Sequence, residues 1–441
     1  GPPYHFMSRV TEIKGVMGSM KPGASIELEY DIPDDAWYFE QNGAAVMPFC
    51  VLLEAALQPC GWLAVFIGCP GTSEKDLCFR NLDGSGPISG ELRRGDGILR
   101  TRTTIKSISS VKDMIIVSFE YICLCDEREI FRSDTSFGFF PPEALAEQVG
   151  MPATDEERAW LDVPNDFAVD LRARPSRYCE GILRLAGPML LMLDRVTGYW
   201  PDGGPAGLGR LRAEKKVEYS EWFFKAHFFQ DPVQPGSLGI EAMLQLLQFY
   251  MIHEEMGEGI ENPRFEAIAL DRPLTWKYRG QVTPQKKRIS TELNILEKGR
   301  DERGAFVVAE AWLWVDGLRI YQATNMGMRI VAGTSGETGT KAETGPEIEA
   351  VEVLDPEVDE WLLDHCPNYT LPTLPLMSMV DRLAQAAVDG ECDADPAQPR
   401  FVVDIQDVAL EGWLSFAEPR RLRKRVVERI EQADGTVRSK G

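Results

Sequence analysis

Histidine is scarce in this 441-residue chain, with only His5, His227, His253 and His365. Positive charge is also short: 47 lysines and arginines stand against 69 acids, a formal net charge of −22. That sign opposes an affinity built on neutralising phosphates or anionic head groups, so neither nucleic acid nor a membrane surface is an expected partner. No unbroken apolar run approaches the roughly 18 residues of a membrane span, and no basic-then-apolar signal segment opens the chain, so a cytoplasmic protein is expected. The nine cysteines are odd in number and scattered, unlike the dense even framework of a small secreted domain, and read as reduced thiols. No CxxC pair or His/Cys cluster has zinc spacing, so no metal is expected. Cys123 and Cys125 alternate on one strand face, as small buried hydrophobes do. GxxxxGK[ST] and GxSxG are missing, which removes a P-loop and a hydrolase elbow. The glycines of GGPAGLG from Gly203 are wrongly spaced for a dinucleotide loop and read as a hairpin turn.

What is present is ample core material. The chain is 44% hydrophobic and 26% charged, and roughly 150 residues per domain predicts about three globular units. Gly1-Pro2 reads as a protease scar or as native sequence, and the chain stops just after a strand-like stretch; a fragment of something larger is expected.

The chain also repeats itself. GPPYHFMSRV at residue 1 answers GPMLLMLDRV at residue 187, an offset of 186. MPFCVLLEAALQ from Met47 answers QPGSLGIEAMLQ from Gln234, with 235 − 48 = 187 for the prolines and 241 − 54 = 187 for the glutamates. DEREIF from Asp126 answers DGLRIY from Asp316, an offset of 190. Constant order with little drift is the signature of a duplicated unit.

Each copy reads as strand, one long apolar helix, then several strands. The helix from Gly236 to about Met251 is apolar around most of its circumference, as a helix buried on all sides must be. Pro48 and Pro235 fall where a first helical turn begins, where the missing N–H costs nothing. ILRTRTTIKSI, MIIVSFEYICLC, KRISTELNIL and AFVVAEAWLWV are β-branched and alternating, which predicts antiparallel strands. The expected fold class is α+β, a sheet wrapped around a buried central helix. The expected domains are 1–140, a connector at 141–177 with one short helix, 178–331, a flexible linker at 332–347, and a third, truncated or atypical unit at 348–441.

His227 lies eight residues before Pro235 in HFFQDPVQPGSLGIEAM. A histidine ahead of a helix N-terminus sets a base beside exposed backbone N–H groups. The Gly236 N–H and the helix dipole can hold a thioester oxygen as negative charge develops, while the histidine takes the α-proton. A hydroxyl leaving the β-carbon needs a proton donor. A carboxyl on an apolar helix suits that task because burial favours its neutral form, and Glu54 and Glu241 are such carboxyls.

On HFFQDPVQPGSLGIEAMLQL and KYRGQVTP, strongest over about 185–330, the sequence resembles the 3-hydroxydecanoyl-ACP dehydratase/isomerase (FabA-like) group of hotdog fold, and more closely the tandem dehydratase domains of polyunsaturated fatty acid synthases. The resemblance implies tandem hotdogs: a double-hotdog pseudo-dimer plus a third partial one. It places His227 on the catalytic histidine, Gly236 on the carbonyl donor and Glu241 on the catalytic acid. That family's histidine works with the acid of the opposite hotdog. In an internal pseudo-dimer the acid for His227 is therefore Glu54; in a homodimer it is Glu241. The 187 offset puts Glu40 at the first copy's histidine position, so one working site per double hotdog is expected. Pro235, Ser237 and Asp231 are candidate substrate-binding residues, and His365 with Asp381 a candidate second site. His5 aligns with Leu191 and is expected in a core or pocket wall, and His253 at a helix C-terminus or on the surface.

The implied reaction is dehydration of 3-hydroxyacyl-ACP, a hydro-lyase step, with trans-2 to cis-3 isomerisation as a second use of the same base. No cofactor is implied, since the substrate arrives on the phosphopantetheine of an acyl carrier protein within a synthase multienzyme. Lys286, Lys287 and Arg288, or the run Arg420, Arg421, Arg423, Lys424 and Arg425, are candidate carrier-docking patches, the run reading first as a solvated strand face. The rival readings are a hotdog thioesterase and a non-catalytic acyl-binding module.

Overall fold

Alternation in sequence becomes antiparallel pairing in the computed structural model, which describes residues 3–73, 75–111, 113–270, 272–333, 348–366, 372–389, 414, 416, 419–426, 428–431 and 437–440. The first repeat supplies β1 (Arg9–Lys14), β2 (Ser25–Asp31), β3 (Cys78–Pro87), β4 (Ile98–Val111), β5 (Met114–Cys125) and β6 (Arg128–Phe140). After a two-residue β7 (Val169–Asp170), the second supplies β8 (Arg195–Trp200), β9 (Arg210–Lys216), a short β10 (Pro263–Phe265), β11 (Pro273–Tyr278), β12 (Arg288–Asp301), β13 (Gly304–Val315) and β14 (Leu318–Ala332).

These strands make one sheet in the order β1-β2-β4-β5-β6-β3-β11-β14-β13-β12-β9-β8-β7, with β10 also on β14. Read outward from the β3–β11 joint the order is the same on both sides: β6, β5, β4, β2, β1 and β14, β13, β12, β9, β8. The duplication is thus visible in the topology. At the joint Ser85 Oγ and Thr275 Oγ1 meet at 2.7 Å. The β5–β6 turn holds Asp126 and Glu127 at φ of 48° and 60°, and the β13–β14 turn holds Asp316 and Gly317 at 49° and 82°. Positive φ at both central residues matches the right-handed twist of a two-residue hairpin. The GGPAGLG run is the loop joining β8 to β9, with Gly204, Gly207 and Gly209 at positive φ.

Each half of the sheet wraps a long helix, the hotdog arrangement. The first central helix is Phe49–Phe66 and the second Gly236–His253, with Pro48 and Pro235 as N-caps. All but the two end residues of the second are buried. The first has 18 residues and a mean hydropathy of 1.6, so it is long and apolar enough to cross a membrane by length and composition. The sequence reading missed this because Glu54, Gln58 and Pro59 interrupt the apolar run. In the fold 72% of the helix is buried inside the protein. Cys123 and Cys125 are buried on β5, and the eight described cysteines are free thiols.

The connector is more ordered than one short helix. It carries Pro142–Ala146, Asp155–Ala159 and Ser176–Cys179. The middle one is capped reciprocally by Thr154 and Glu157, which satisfies two otherwise unpaired N–H groups. Arg319 of β14 donates to Glu157 Oε1 at 2.8 Å and its carbonyl accepts from Met151 N, tying the connector to the sheet.

All of this lies in a compact unit made of 5–217 and 233–339. The other compact unit comprises the described parts of 1–4, 218–232 and 340–441. It contains an antiparallel pair, Ile348–Leu354 with Arg420–Val426, a second pair, Glu428–Glu431 with Val437–Lys440, and a helix at Leu376–Asp389. Its core is Leu354, Leu362, Leu374 and Phe416. No residue of Leu376–Gln385 is buried, unlike the two central helices. The expected linker at 332–347 and the expected strand FVVDIQDVAL fall, beyond residue 333, outside the described residues.

Candidate active site

Helix 236–253 starts where it does because Pro235, at φ −54° and ψ 135°, sets the extended-to-helical step. Gly236 and Ser237 are its first two residues, and there the second repeat meets the first. Ser237 Oγ donates to Glu54 Oε2 of the other central helix at 2.9 Å, in a buried bond. Gln58 Nε2 donates to Glu54 Oε1 at 3.3 Å, and Gln58 Oε1 accepts from Phe6 N. Glu54 is 7% exposed. Burial pushes its pKa up from the ordinary 4.5, with the Ser237 and Gln58 bonds pulling the other way.

The twin arrangement surrounds Glu241, 4% exposed. Gln245 Nε2 donates to it at 3.0 Å, and Gln245 Oε1 accepts from Met192 N. Burial again raises the pKa, opposed by hydrogen bonds from Gln245 and from Cys50 of the first helix. Cys50 and Gln58 stand 187 residues before Ser237 and Gln245. Each acid therefore takes its i+4 glutamine from its own helix and its other partner from the start of the opposite helix.

The two ends differ in what surrounds the acid. Before Cys50 stands Phe49, fully buried and 5.8 Å from the Phe131 ring. Before Ser237 stands Gly236, against which Tyr278 packs so closely that a Cβ there would lie 2.6 Å from Cε2. Tyr278 is buried and its ring packs, tilted by 53°, against that of Tyr321 at 4.4 Å between centroids. Sequence reasoning quoted KYRGQVTP without singling out this tyrosine. It also passed over both glutamines, although the repeated spacing of four after each glutamate was a readable signal of one helix face.

His227 follows a short buried helix, Phe223–Ala226, and its N–H bonds Phe223 O at 3.1 Å. It is partly buried, and its ring lies 4.0 Å from that of Phe228. Asp231 bridges back to Phe228, with Gln230 at φ 55° making the turn. Both belong to the compact unit of 218–232, whereas Glu54, Glu241, Pro235, Gly236 and Ser237 belong to the other.

The histidine's counterpart in the first repeat is corrected by the structure. Trp37–Gln41 is the corresponding short helix, and the residue closing it is Asn42, with its N–H on Tyr38 O; it is not Glu40, which lies inside the helix. The second repeat has two more residues between tryptophan and proline (235 − 222 = 13 against 48 − 37 = 11), so the 187 offset fails locally. Asn42 is buried and donates to Val46 O at 2.8 Å.

The other candidates are scattered. His365 closes the short helix Glu360–Asp364 and its Nδ1 sits 2.9 Å from Thr373 O, while Asp381 is exposed. His5 is exposed and precedes β1, not in a core or pocket wall, because the sheet begins only at Arg9. His253 ends the second central helix in an aromatic cluster of Tyr178, Phe249, Phe167 and Tyr199, with Tyr178 Oη 2.9 Å from Nδ1. Burial and then Arg177 lower its pKa, the opposite of a simple dipole-stabilised cation. Lys287 is exposed and Lys286 and Arg288 are half-exposed, whereas the side chains of the 420–425 arginines and lysine lie outside the described ones.

Residues 185–324 match the family model of the FabA-like domain. A curated relative, a polyunsaturated fatty acid synthase subunit from Thraustochytrium sp., is 32% identical over 341 residues, covering 73% of this chain and 22% of the relative. The chain thus spans about a fifth of that protein's length. Among solved structures, the dehydratase domain from the CurJ module of curacin polyketide synthase aligns with a TM-score of 0.41 at 10% identity, over 74% of this chain and 96% of that one. A protein described as an oleoyl thioesterase from Lactobacillus plantarum also scores 0.41 at 10% identity, over 70% and 98%. The resemblance read from the sequence is thus met again in the family match and in the synthase relative.

Proposed function

We propose, from the FabA-like domain at 185–324, that this chain is a dehydratase segment of a fatty acid or polyketide-type synthase, a hydro-lyase taking water from a 3-hydroxyacyl thioester. The observation that carries the reading is the Glu54–Ser237 pair: a buried carboxyl, its pKa raised by desolvation, at the N-terminus of a helix that opens with glycine. A neutral carboxyl can give a proton; an ionised one cannot.

The residues take these roles on this reading. The Gly236 N–H and the positive helix end polarise the thioester carbonyl, which acidifies the α-carbon. His227 takes the α-proton as base. The β-hydroxyl leaves with the proton of Glu54, so that water and a 2-enoyl thioester form and Glu54 is left as carboxylate. Ser237 Oγ and Gln58 Nε2 already point at the two carboxylate oxygens and stabilise that charge. His227 and Glu54 return to their starting state by passing one proton from the imidazolium to the carboxylate through solvent. Isomerisation of the double bond would reuse the same base on the 2-enoyl product, taking a proton from its γ-carbon and returning one to the α-carbon of the resulting dienolate, so that a 3-enoyl thioester forms. The two repeats act as an internal pseudo-dimer with one working end, because Asn42 is no base and Phe49 fills the place of Gly236.

The substrate is carried on the phosphopantetheine of an acyl carrier protein, and the mechanism draws on no further cofactor. The test is turnover of a 3-hydroxyacyl or crotonyl thioester by the intact chain. Enoyl product with water exchange supports the reading. Free acid would make it a thioesterase, and carrier binding without turnover a non-catalytic module.

A further inference from the structure

One buried polar group at the working end has no task in the mechanism above. The Tyr278 hydroxyl is fully buried and has no hydrogen-bond partner among the described residues. An orphaned hydroxyl in a core costs about 1–3 kcal/mol, so a fold with no use for it does better with an apolar residue. The other half of the sheet shows that solution. Tyr278 pairs with Tyr321, and 190 residues earlier Ile88 pairs with Phe131 in the same antiparallel register (278 − 88 = 190; 321 − 131 = 190). Ile88 is buried, so the position folds without a hydroxyl.

The tyrosine stands at the end where glycine opens the helix and Ser237 meets Glu54. The ring carbon bearing its hydroxyl would be 2.8 Å from a Cβ on Gly236. That places the hydroxyl end of the ring at the first helical turn, where backbone N–H groups have no intrahelical acceptor. Burial, then the neighbouring Tyr321 and Glu54, raise its pKa well above the ordinary value, so it keeps its proton and can donate a hydrogen bond.

We propose that the Tyr278 hydroxyl is a second hydrogen-bond donor, beside the Gly236 N–H, to the carbonyl oxygen of the acyl thioester. This rests on the dehydratase reading. No proton is transferred: the hydroxyl donates more strongly as charge grows on the oxygen, and that difference lowers the barrier.

The experiment pairs turnover with spectroscopy on Tyr278→Phe in the full chain. With a 3-hydroxyacyl pantetheine thioester, kcat should fall about 10²-fold with KM nearly unchanged, the loss expected for one oxyanion donor. The infrared carbonyl stretch of bound crotonyl-pantetheine, labelled with carbon-13 at the carbonyl, should shift to lower frequency in the wild type and by less in the variant. Thermal stability should hold or rise, since an unpaired hydroxyl is removed. Wild-type turnover with an unimpaired variant overturns the donor role and leaves the dehydratase reading standing. A slow, less stable variant with an unchanged carbonyl shift means a structural role and also overturns it. A wild type that neither turns over nor shifts the carbonyl overturns both.

Discussion

Ser237 Oγ, on the second central helix, donates to Glu54 Oε2, on the first, across 183 residues of sequence at 2.9 Å. The acid of one repeat is thereby joined to the helix start of the other. Glu241, in the helix that Ser237 opens, is held by Gln245 and by Cys50 of the opposite helix. The pairing is crossed, and the chemistry proposed for His227 and Gly236 follows it to Glu54.

Glutamine at each acid separates the two. Glu54→Gln removes the transferable proton and should lower kcat at least 10²-fold, as should His227→Ala. Glu241→Gln keeps the Gln245 bond and should cost less than tenfold. Steady-state turnover of a 3-hydroxyacyl thioester checks all three, and a larger loss at Glu241 would transfer the acid's role to it.

The pH dependence of stability has a definite sign. Both buried carboxyls have folded pKa values raised above the ordinary 4.5, chiefly by burial. Their contribution is fully present below the unfolded value and is lost as pH rises through the raised folded one, because the folded state then holds protons that the unfolded chain has released. Relative to the Glu54→Gln/Glu241→Gln double variant, the wild type should lose stability as pH climbs from about 4.5. Melting curves across that range test it; parallel curves would mean neither acid titrates differently on folding.

Gly236→Ala should be costly. The new methyl would sit 2.6 Å from Tyr278 Cε2, and overpacking of this kind costs about 1–3 kcal/mol. The contact is with ring carbons, so adding Tyr278→Phe should not restore stability. Urea denaturation midpoints of the single and double variants decide this.

Phe49→Ala opens the other end. Phe49 is fully buried against Phe131, and its truncation should cost about 3–5 kcal/mol. It should create no second active site, since Asn42 stands in the histidine's place. Denaturant unfolding and turnover per chain measure the two effects.

Much of the fold was legible in the sequence. Strand alternation in MIIVSFEYICLC and AFVVAEAWLWV, the all-round apolarity of 236–253, and matched prolines at 48 and 235 located the elements, since side-chain period and proline geometry act locally. The 187 offset exposed the duplication but failed between Trp37 and Pro48, where two fewer residues make Asn42, not Glu40, the counterpart of His227. A fixed offset cannot see a gap; a helix end can. One short helix was expected in the connector and three are found; the others went unseen because each is only four or five residues long, with no long periodicity to read.

By itself the sequence determined that two copies of a strand–helix–strands unit exist, and that acids at 54 and 241 lie on apolar helices. Which residue faces which acid was decided only by tertiary packing. Glu54 meets Ser237 because the two halves join their sheets at β3 and β11 and bring the helix of one against the helix start of the other. The Tyr278 hydroxyl comes to Gly236 for the same reason: a pairing between strand and helix start more than 40 residues away (278 − 236 = 42) leaves no local periodicity, so only the packed structure contains it.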